Sequence, residues 1–400
     1  MLYVGCMKAA LAVLVLAASN IGAQGRMLDT QTYSTTGHPT EAVATPDGQY
    51  VLVTVNRAMG SGLDVFHAVA GKLERVAFQP LPTDGAQGIV LIPHTHMLAV
   101  GASNKGVVFL SLDDAIVGKA KPTTLLQGER SGSGYLAVTP DGQVLFVANE
   151  YGDGGNIGVI ALHPDAEGAL HPESVAQIPA RNTTPGVAIS QDGSRLYTEG
   201  EVVPPDVAAR LPGHGIKELE RSGCSQARPE RQMPNGVLYA IDVATARALT
   251  KTSSPEQVRR SIIGLVDSGC SPVREAVTPD GKILYVTARG DNQILIFATK
   301  ALETNPGSSF LRAFASGGTA PVGLKLFNGG KALLVANSNR FSGGNGNVAV
   351  FDLAEPAAPV LRQTIKTGPF PRNITSSDDG ATLYLTIFSG DELMVLKSAN

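Results

Sequence analysis

Seven short polar turns, each between two apolar runs, are the feature of this sequence that most constrains its fold. Five of the turns end in Asp-Gly, as in the three copies of Thr-Pro-Asp-Gly. The turns occupy residues 45–48, 92–95, 139–142, 190–193, 278–281, 327–330 and 377–380. Their third residues are separated by 47, 47, 51, 88, 49 and 50 positions. A period near 50 with turn residues at fixed offsets is typical of radially repeated β-structure rather than of helical solenoids.

The fifth repeat shows what one unit contains. Its apolar runs predict strands at 272–278, 283–288, 293–298 and 309–315, and the Pro-Asp-Gly sequence is suited to a tight turn between the first two. The seventh repeat stops after its third strand, whereas residues 27–33 precede the first repeat without a partner of their own. The sequence therefore predicts an all-β fold, a seven-bladed β-propeller with four-stranded antiparallel blades, whose ring is closed by the N-terminal strand.

Length and charge limit the organisation and the partners. Four hundred residues alone would suggest two or three domains, but the repeat indicates one domain over residues 27–400, because blades bury their faces only against each other. The formal net charge is −3 and the two signs are interspersed. A nucleic-acid partner would require a basic face for the phosphates, so we expect none.

The N-terminus has the layout of a secretory signal. Lys8 precedes an apolar stretch at residues 9–18, and small residues follow at 21–23. We expect residues 1–23 to be removed and the mature protein to be periplasmic or secreted, without stable membrane insertion. The alternative is an uncleaved anchor, and translation could begin at Met1 or Met7.

A long insertion distinguishes the fourth repeat. In a propeller, the loops between second and third strands lie on the face opposite the Asp-Gly turns, which we call the top face. The 88-residue interval places residues 201–235 in such a loop, and residues 205–221 resemble one or two helices. An oxidising compartment would allow a disulfide between Cys224 in the insert and Cys270. The alternative is two unpaired thiols.

The segment ILYVTARGDNQILIF, which begins at Ile283, resembles the YVTN-type repeat, and LYAIDVATAR, from Leu238, resembles its end. The chain is thus similar to the YVTN-repeat, lactonase-like seven-bladed propellers over residues 27–400. That resemblance implies either a lactone-opening or isomerising enzyme or a periplasmic binding protein. The Arg-His pair of the phosphogluconolactonases has no counterpart here, because Gly134 and Tyr135 stand nearest its place, which argues against phosphogluconolactone as the substrate.

Propeller geometry should bring the top ends of the strands together around one channel. The polar residues at these ends predict an oxygen-rich site for a divalent cation, Ca²⁺ or Mg²⁺, and a set of cations able to hold a carboxylate or phosphate. We expect ligand binding by Arg57, Arg274, Arg289, Arg340, Arg372 and Asn373, catalysis by Glu150 and His38, and metal ligation by Glu150, Glu199 and Asn149. The alternative is that these groups pair among themselves or cap loops.

Three functions remain open at this point. The first is an exported lactonase-like hydrolase or isomerase that acts on a small carboxylated or cyclic ester at the top of the channel. The second is a non-catalytic periplasmic propeller that binds a small molecule, a peptide or a partner protein. The third is a structural subunit similar to the heavy chain of methylamine dehydrogenase. The sequence contains no GxSxG, HExxH, Walker or dinucleotide-binding motif.

Overall fold

The chain forms seven four-stranded antiparallel sheets, and each sheet is one blade of a propeller. The computed structural model describes residues 28–128, 131–150, 155–165, 169–180, 185–203, 205–215 and 235–398. The innermost strand of each blade contacts the innermost strands of the blades before and after it, and the contact of the first blade with the seventh completes the cycle. Both the blade number and the four-stranded pattern predicted from the turns are confirmed.

Every blade begins at the channel and runs outwards. The first blade contains β2 (His38–Ala44), β3 (Tyr50–Asn56), β4 (Gly62–Val69) and β5 (Lys72–Pro80), and the second contains β6 (Ile89–Ile92), β7 (Met97–Gly101), β8 (Val107–Ser111) and β9 (Thr123–Leu125). The third blade contains β10 (Ser133–Val138), β11 (Val144–Asn149), β12 (Asn156–Pro164) and β13 (Leu170–Pro179). The fourth contains β14 (Val187–Ile189), β15 (Arg195–Gly200), β16 (Asn235–Asp242) and β17 (Ile262–Cys270).

The last three blades follow the same order. They contain β18 (Pro272–Val277), β19 (Ile283–Ala288), β20 (Gln293–Ala298) and β21 (Phe310–Ala315); β22 (Pro321–Phe327), β23 (Ala332–Asn337), β24 (Asn345–Asp352) and β25 (Val360–Pro369); and β26 (Pro371–Ser376), β27 (Thr382–Ile387), β28 (Glu392–Ser398) and the N-terminal β1 (Leu28–Ser34). In the fifth blade the second and third strands have the predicted bounds, and the fourth begins one residue later than predicted.

The described helices are short connections between strands. The α-helices are α1 (Leu112–Ile116), α2 (Pro205–Ala208), α3 (Val243–Arg247), α4 (Pro255–Arg259) and α5 (Thr299–Thr304), and 3-10 turns occur at Arg289–Asp291, Pro306–Ser308 and Phe388–Gly390. None of the helices in the described ranges is long and apolar enough to cross a membrane.

The Asp-Gly turns form as their residue types require. In the first blade, the Asp47 carboxylate accepts hydrogen bonds from the Thr45 hydroxyl at 2.5 Å and from the Gln49 backbone N–H at 3.0 Å. Gly48 adopts a φ of 68°, where a side chain would be strained. The Asp side chain therefore fixes the turn locally, and the Gly permits the left-handed residue that ends it.

The N-terminal strand closes the ring. β1 pairs antiparallel with β28, with Leu28 opposite Ser398 and Ser34 opposite Glu392. The side chain of Leu28 is only 1% exposed and packs in the core of the sixth and seventh blades. The Leu28 backbone N–H also donates to the Gln363 side chain of the sixth blade at 3.1 Å. The prediction that the N-terminal strand completes the seventh blade is confirmed.

The apolar core lies between neighbouring blades. One cluster joins the third and fourth blades and includes Phe146 and Tyr239, while another joins the fifth and sixth and includes Tyr285 and Phe351. These side chains stand on strands that face two blades at once, which explains why apolar runs without strict alternation form them. Because apolar side chains fill the space between neighbouring blades, only the innermost strand of each blade faces the axis.

The connections divide between two faces as predicted. The loop after β15, which begins the insert of residues 201–235, leaves the end of the blade opposite its Asp-Gly turn, on the top face. Helix α2 falls within the part of the insert where a helix was predicted. Residues 1–23 and most of the insert, including Cys224, lie outside the described residues, so the signal peptide and the disulfide stay predictions. Cys270 ends β17 on the top face and is fully buried.

Candidate functional site at the top of the channel

The innermost strands present polar side chains at their top ends. Arg274 belongs to β18, whereas Arg372 and Asn373 belong to β26, and Tyr135 of β10 lies between them. The Arg274 guanidinium carbon stands 3.6 Å from the centre of the Tyr135 ring, and the Tyr135 hydroxyl accepts a hydrogen bond from Arg372 Nε at 3.0 Å. Arg372 also donates to the Gln87 side chain at 2.8 Å. Two of the predicted ligand-binding arginines are therefore joined by one tyrosine.

Three further predicted residues lie where the second strands end. Burial lowers the pKa of Arg289 to about 10, the charges of Arg340 and Arg372 act in the same direction, and Glu150 opposes them. The structure thus brings Arg340, Arg372 and Glu150 within electrostatic reach of Arg289. Arg289 also forms a buried ion pair with Glu201 at the start of the insert. We refer to Arg274, Arg289, Arg340 and Arg372 as the arginine cluster.

Aromatic rings form part of the surroundings of this cluster. The Arg289 guanidinium lies 5.6 Å from the Phe341 ring centre, and that of Arg340 lies 5.6 Å from Phe370. Arg340 is exposed, and apart from this ring its guanidinium makes no hydrogen bond or ion pair within the part of the chain that the structure describes. It is consequently free to engage a bound molecule.

A cavity of about 270 Å³ lies on the propeller axis below Tyr135 and Arg274. We call it the axial cavity. It is lined by inner strands of six blades, and its charged and amide side chains belong to Glu41, Arg274, Glu275, Lys325 and Asn373. Ionisable groups rarely occur at such depth without a function or a partner, because removing a charge from water costs several kcal/mol.

Glu41 is held on both of its carboxylate oxygens. One oxygen accepts from the Asn373 amide at 2.7 Å, and the other accepts from the Ile89 backbone N–H at 2.8 Å. Burial nevertheless dominates and raises the pKa of Glu41 to about 7, whereas the hydrogen bonds and the charge of Arg274 lower it. This carboxyl group can therefore exchange a proton near neutral pH.

Glu275 faces a second glutamate across the boundary between blades. Glu199 is the last residue but one of β15, it is fully buried, and in the described ranges neither of its oxygens has an N–H or hydroxyl donor. The oxygens of Glu275 have none either. Burial raises the pKa of both carboxyls, and the charge of Glu199 raises that of Glu275 further. Two adjacent carboxyl groups in this setting can retain a shared proton.

Other predicted residues have separate surroundings. Arg57 does not join the arginine cluster, because its guanidinium lies 4.2 Å from the centre of the Phe78 ring in its own blade. His38 does begin the first inner strand at the top rim, as predicted. Its Nδ1 lies 2.7 Å from an Asp391 carboxylate oxygen, its ring stacks on Phe388, and its side chain is 51% exposed. A catalytic role for His38 stays a prediction.

The contacts of Asn149 and Glu199 do not favour the predicted cation site. The Asn149 amide accepts from the Ser133 hydroxyl at 2.9 Å and donates to Gln127 and Asn156, both at 2.9 Å. Glu199 interacts with Glu275. In the described ranges, no group of three or more His, Cys, Asp or Glu residues is arranged to hold a metal ion. The divalent cation stays a prediction, and no step below depends on it.

Two residues of the axial cavity were missed by the sequence analysis. Glu41 and Lys325 each interrupt an apolar inner strand, in HPTEAVA and PVGLKLF respectively. A single charged residue within the strand nearest the axis was an available signal, because such a strand faces only the channel or the core. Glu41 and Lys325 lie within their strands and not at the strand ends from which the site was predicted.

Comparison with known proteins supports the architecture. The chain is similar to the Cps50 (Swd1) β-propeller domain of Myceliophteria thermophila, with a TM-score of 0.61, 12% identity, and coverage of 93% of this chain and 100% of that one. It is also similar to the hydrazine synthase of Kuenenia stuttgartiensis, with a TM-score of 0.63, 16% identity, and coverage of 92% and 97%. No family model and no curated protein matches the sequence. At these identities the likeness establishes the seven-bladed fold alone.

Proposed function

We propose that this protein is a binding propeller whose arginine cluster holds a carboxylate or phosphate group of its ligand. The observation that supports the proposal is the excess of positive charge at the top of the channel. The positive charges of Arg340 and Arg372 act on Arg289 there, and Glu150 and Glu201 are the carboxylates that interact with Arg289, whereas Arg274 interacts with the carboxyl groups of Glu41, Glu199 and Glu275. A bound anion would relieve the mutual repulsion of Arg289, Arg340 and Arg372.

The chemistry of arginine favours this class of ligand. A guanidinium presents several N–H donors in one plane and binds carboxylate or phosphate in a bidentate manner. The rings of Phe341 and Phe370 beside the cluster would cover the apolar part of a small molecule or of an acidic peptide segment. The proposal therefore includes a small carboxylated molecule and an acidic segment of a partner protein, which share the same anionic group.

A lactonase-like hydrolase is the second candidate, and the placement of Glu150 favours it. The Glu150 carboxylate lies close enough to Arg289 to influence its pKa. It makes no hydrogen bond or ion pair with any other residue that the structure describes. A substrate anchored by the arginines could present its ester carbonyl to a water that Glu150 activates as general base. The narrower assignment to the YVTN-repeat, lactonase-like propellers belongs with this candidate.

The cellular setting is part of the proposal. We propose that residues 1–23 direct export and that Cys224 pairs with Cys270 in an oxidising compartment. The complete burial of Cys270 at the top end of β17, opposite Asn235 at the end of the insert, supports a bridge between the insert and the fifth-blade entrance. Such a bridge would hold the insert beside the arginine cluster.

Titration calorimetry with succinate, citrate and inorganic phosphate at constant ionic strength tests the binding proposal. We expect Arg340→Ala and Arg372→Ala each to weaken binding by about tenfold, the effect of one lost charge-assisted hydrogen bond. Arg312→Ala is the matched control, because Arg312 is an exposed arginine on the outer strand of the fifth blade. Equal loss in all three variants, or no binding of any of the anions, would contradict the proposal.

An activity assay separates the two candidates. Wild type and Glu150→Gln are incubated with γ- and δ-lactones that carry a second carboxylate, and the released acid is titrated. Hydrolysis by the wild type that falls by about a hundredfold or more in Glu150→Gln would establish the hydrolase. Anion binding without any hydrolysis would establish the binding protein.

A further inference from the structure

The axial cavity is lined by an acid, Glu275, and a base, Lys325, that are not paired with one another. Apart from the Glu199 carboxyl, no described residue donates a hydrogen bond to either oxygen of Glu275, although Glu275 is only 7% exposed and lines the cavity. Lys325 lines the same cavity, and its ammonium group forms no hydrogen bond or ion pair with any described residue. Its only resolved electrostatic partner is Glu41, at longer range. Buried charged groups in folded proteins normally have hydrogen-bond or ion-pair partners. Glu275 and Lys325 both need partners that the described residues do not supply.

The neighbouring residues do not remove this requirement. A proton shared with Glu199 would satisfy at most part of the Glu275 carboxyl. The Arg274 guanidinium is directed elsewhere, to the backbone carbonyls of Val273 at 2.7 Å and of Pro185. The Glu41 carboxylate already accepts two hydrogen bonds. Acceptors on Glu275 and donors on Lys325 therefore remain available to a molecule inside the cavity.

Glycines keep the space around these carboxylates open. A Cβ atom on Gly186 would come within 2.8 Å of a Glu275 oxygen, and one on Gly88 within 3.0 Å of a Glu41 oxygen. Any larger residue at either place would displace the carboxylate. The backbone at Gly186 and Gly88 therefore lies close to the Glu275 and Glu41 carboxyl groups without a side chain between them.

We propose that the axial cavity is a second binding site, for a small zwitterion whose ammonium group is held by Glu275 and Glu41 and whose carboxylate is held by Lys325. The class of ligand is a short amino acid, in which an amine and a carboxylate are joined by a few carbon atoms. A volume of about 270 Å³ accommodates such a molecule. The site differs from the arginine cluster in its three recognition groups, although Arg274 borders both.

Access to this site is from the bottom face. A second cavity of about 620 Å³ opens among the turns of the fifth, sixth and seventh blades, and it includes Pro279, Gly330 and Gly380. The two cavities share four residues in their linings, Ile189, Val277, Lys325 and Leu326. On the upper side, the contacts between Arg274, Tyr135 and Arg372 cover the axial cavity. A ligand would thus pass Lys325 before reaching Glu275.

Calorimetry with probes of one and two charges tests the inference. The probes are glycine, β-alanine, 4-aminobutanoate and 5-aminopentanoate, and the single-charge controls are acetate and ethylamine. We expect at least one amino acid to bind the wild type at least about tenfold more tightly than either control, because both ends are then recognised. The series of chain lengths covers different separations between the two binding groups.

Variants assign the site. Glu275→Gln and Lys325→Met should each weaken binding of the best amino acid by about tenfold or more, whereas Arg312→Ala, on the exposed outer strand of the fifth blade, should leave it unchanged. Circular dichroism and melting curves show whether each variant is folded, and the comparison of probes on the wild type does not depend on the variants. The inference fails if none of the amino acids binds, which would indicate a cavity that holds water alone. It also fails if acetate or ethylamine binds equally well, or if both variants bind like the wild type.

Discussion

Replacement of Glu41 by Gln should change how the stability of this protein depends on pH. The Glu41 carboxyl lies in the axial cavity, and burial raises its pKa from an ordinary value of 4.5 to about 7. Gln has nearly the same shape and carries no charge at any pH. Its carbonyl oxygen can still accept the hydrogen bond that Glu41 now receives from the Ile89 backbone N–H. The Gln amide group cannot also accept from Asn373, but this loss is the same at every pH, so the pH dependence of the difference isolates the cost of ionising Glu41.

The direction and the size follow from the two pKa values. Between pH 4.5 and 7 the folded protein retains a proton on Glu41 that the unfolded chain has released. The stability due to this proton is fully present below pH 4.5 and is lost as the pH rises through 7. The difference between the folded pKa of about 7 and the unfolded pKa of 4.5 corresponds to about 3 kcal/mol of unfolding free energy. For a chain of this length, that is about 4 °C in melting temperature.

The assay is a series of melting curves from pH 4.5 to 8.5 for the wild type, Glu41→Gln and Glu74→Gln. Glu74 is exposed on the outer strand β5 of the same blade, so its variant makes the same change of charge in water. The shifts caused by Glu199 and Glu275 are present in all three proteins and cancel in the differences if the sites act independently. We expect Glu41→Gln to lose less stability than the wild type towards high pH. Parallel curves for all three proteins would refute the reasoning.

Three further predictions concern the ring and its top face. Leu28→Ala should lower the unfolding free energy by about 2–5 kcal/mol, measured by urea denaturation, because it removes a fully buried side chain from the strand that closes the ring. If Cys224 and Cys270 are bridged, the denatured protein will react with iodoacetamide at these residues only after reduction, and reduction will cost about 4 kcal/mol of stability; reaction without reduction would exclude the bridge. Arg289→Ala should speed proteolysis within residues 201–235, measured by timed digestion, because it leaves Glu201 without its buried ion-pair partner.

The architecture was predictable from the sequence because each blade repeats the same local chemistry. The seven short polar turns, five of which end in Asp-Gly, predicted the first two strands of each blade, and the missing fourth strand of the last blade identified β1 as its replacement. These are local or counting arguments, and they do not depend on side-chain conformation.

The site was only partly predictable. The starts of the inner strands correctly placed Arg274 and Arg372 at the axis, because strand position alone determines where their backbones lie. The end of the second strand of the first blade predicted Arg57 there as well, but its long side chain turns onto Phe78, and nothing in the sequence indicates which way a flexible side chain turns. The roles of Glu41 and Lys325 depend on which strand faces the channel, and this emerges only when seven blades are assembled.

The pairing of β1 with β28 has a consequence for how the chain reaches its folded state. β1 can pair with β28 only after about 370 further residues have been synthesised, since Leu28 lies opposite Ser398. Until then, six sheets form an open arc whose first and last blades expose the apolar side chains that the seventh blade later covers, which is a state prone to aggregation. A chaperone that shields those two faces would therefore raise the yield of closed rings.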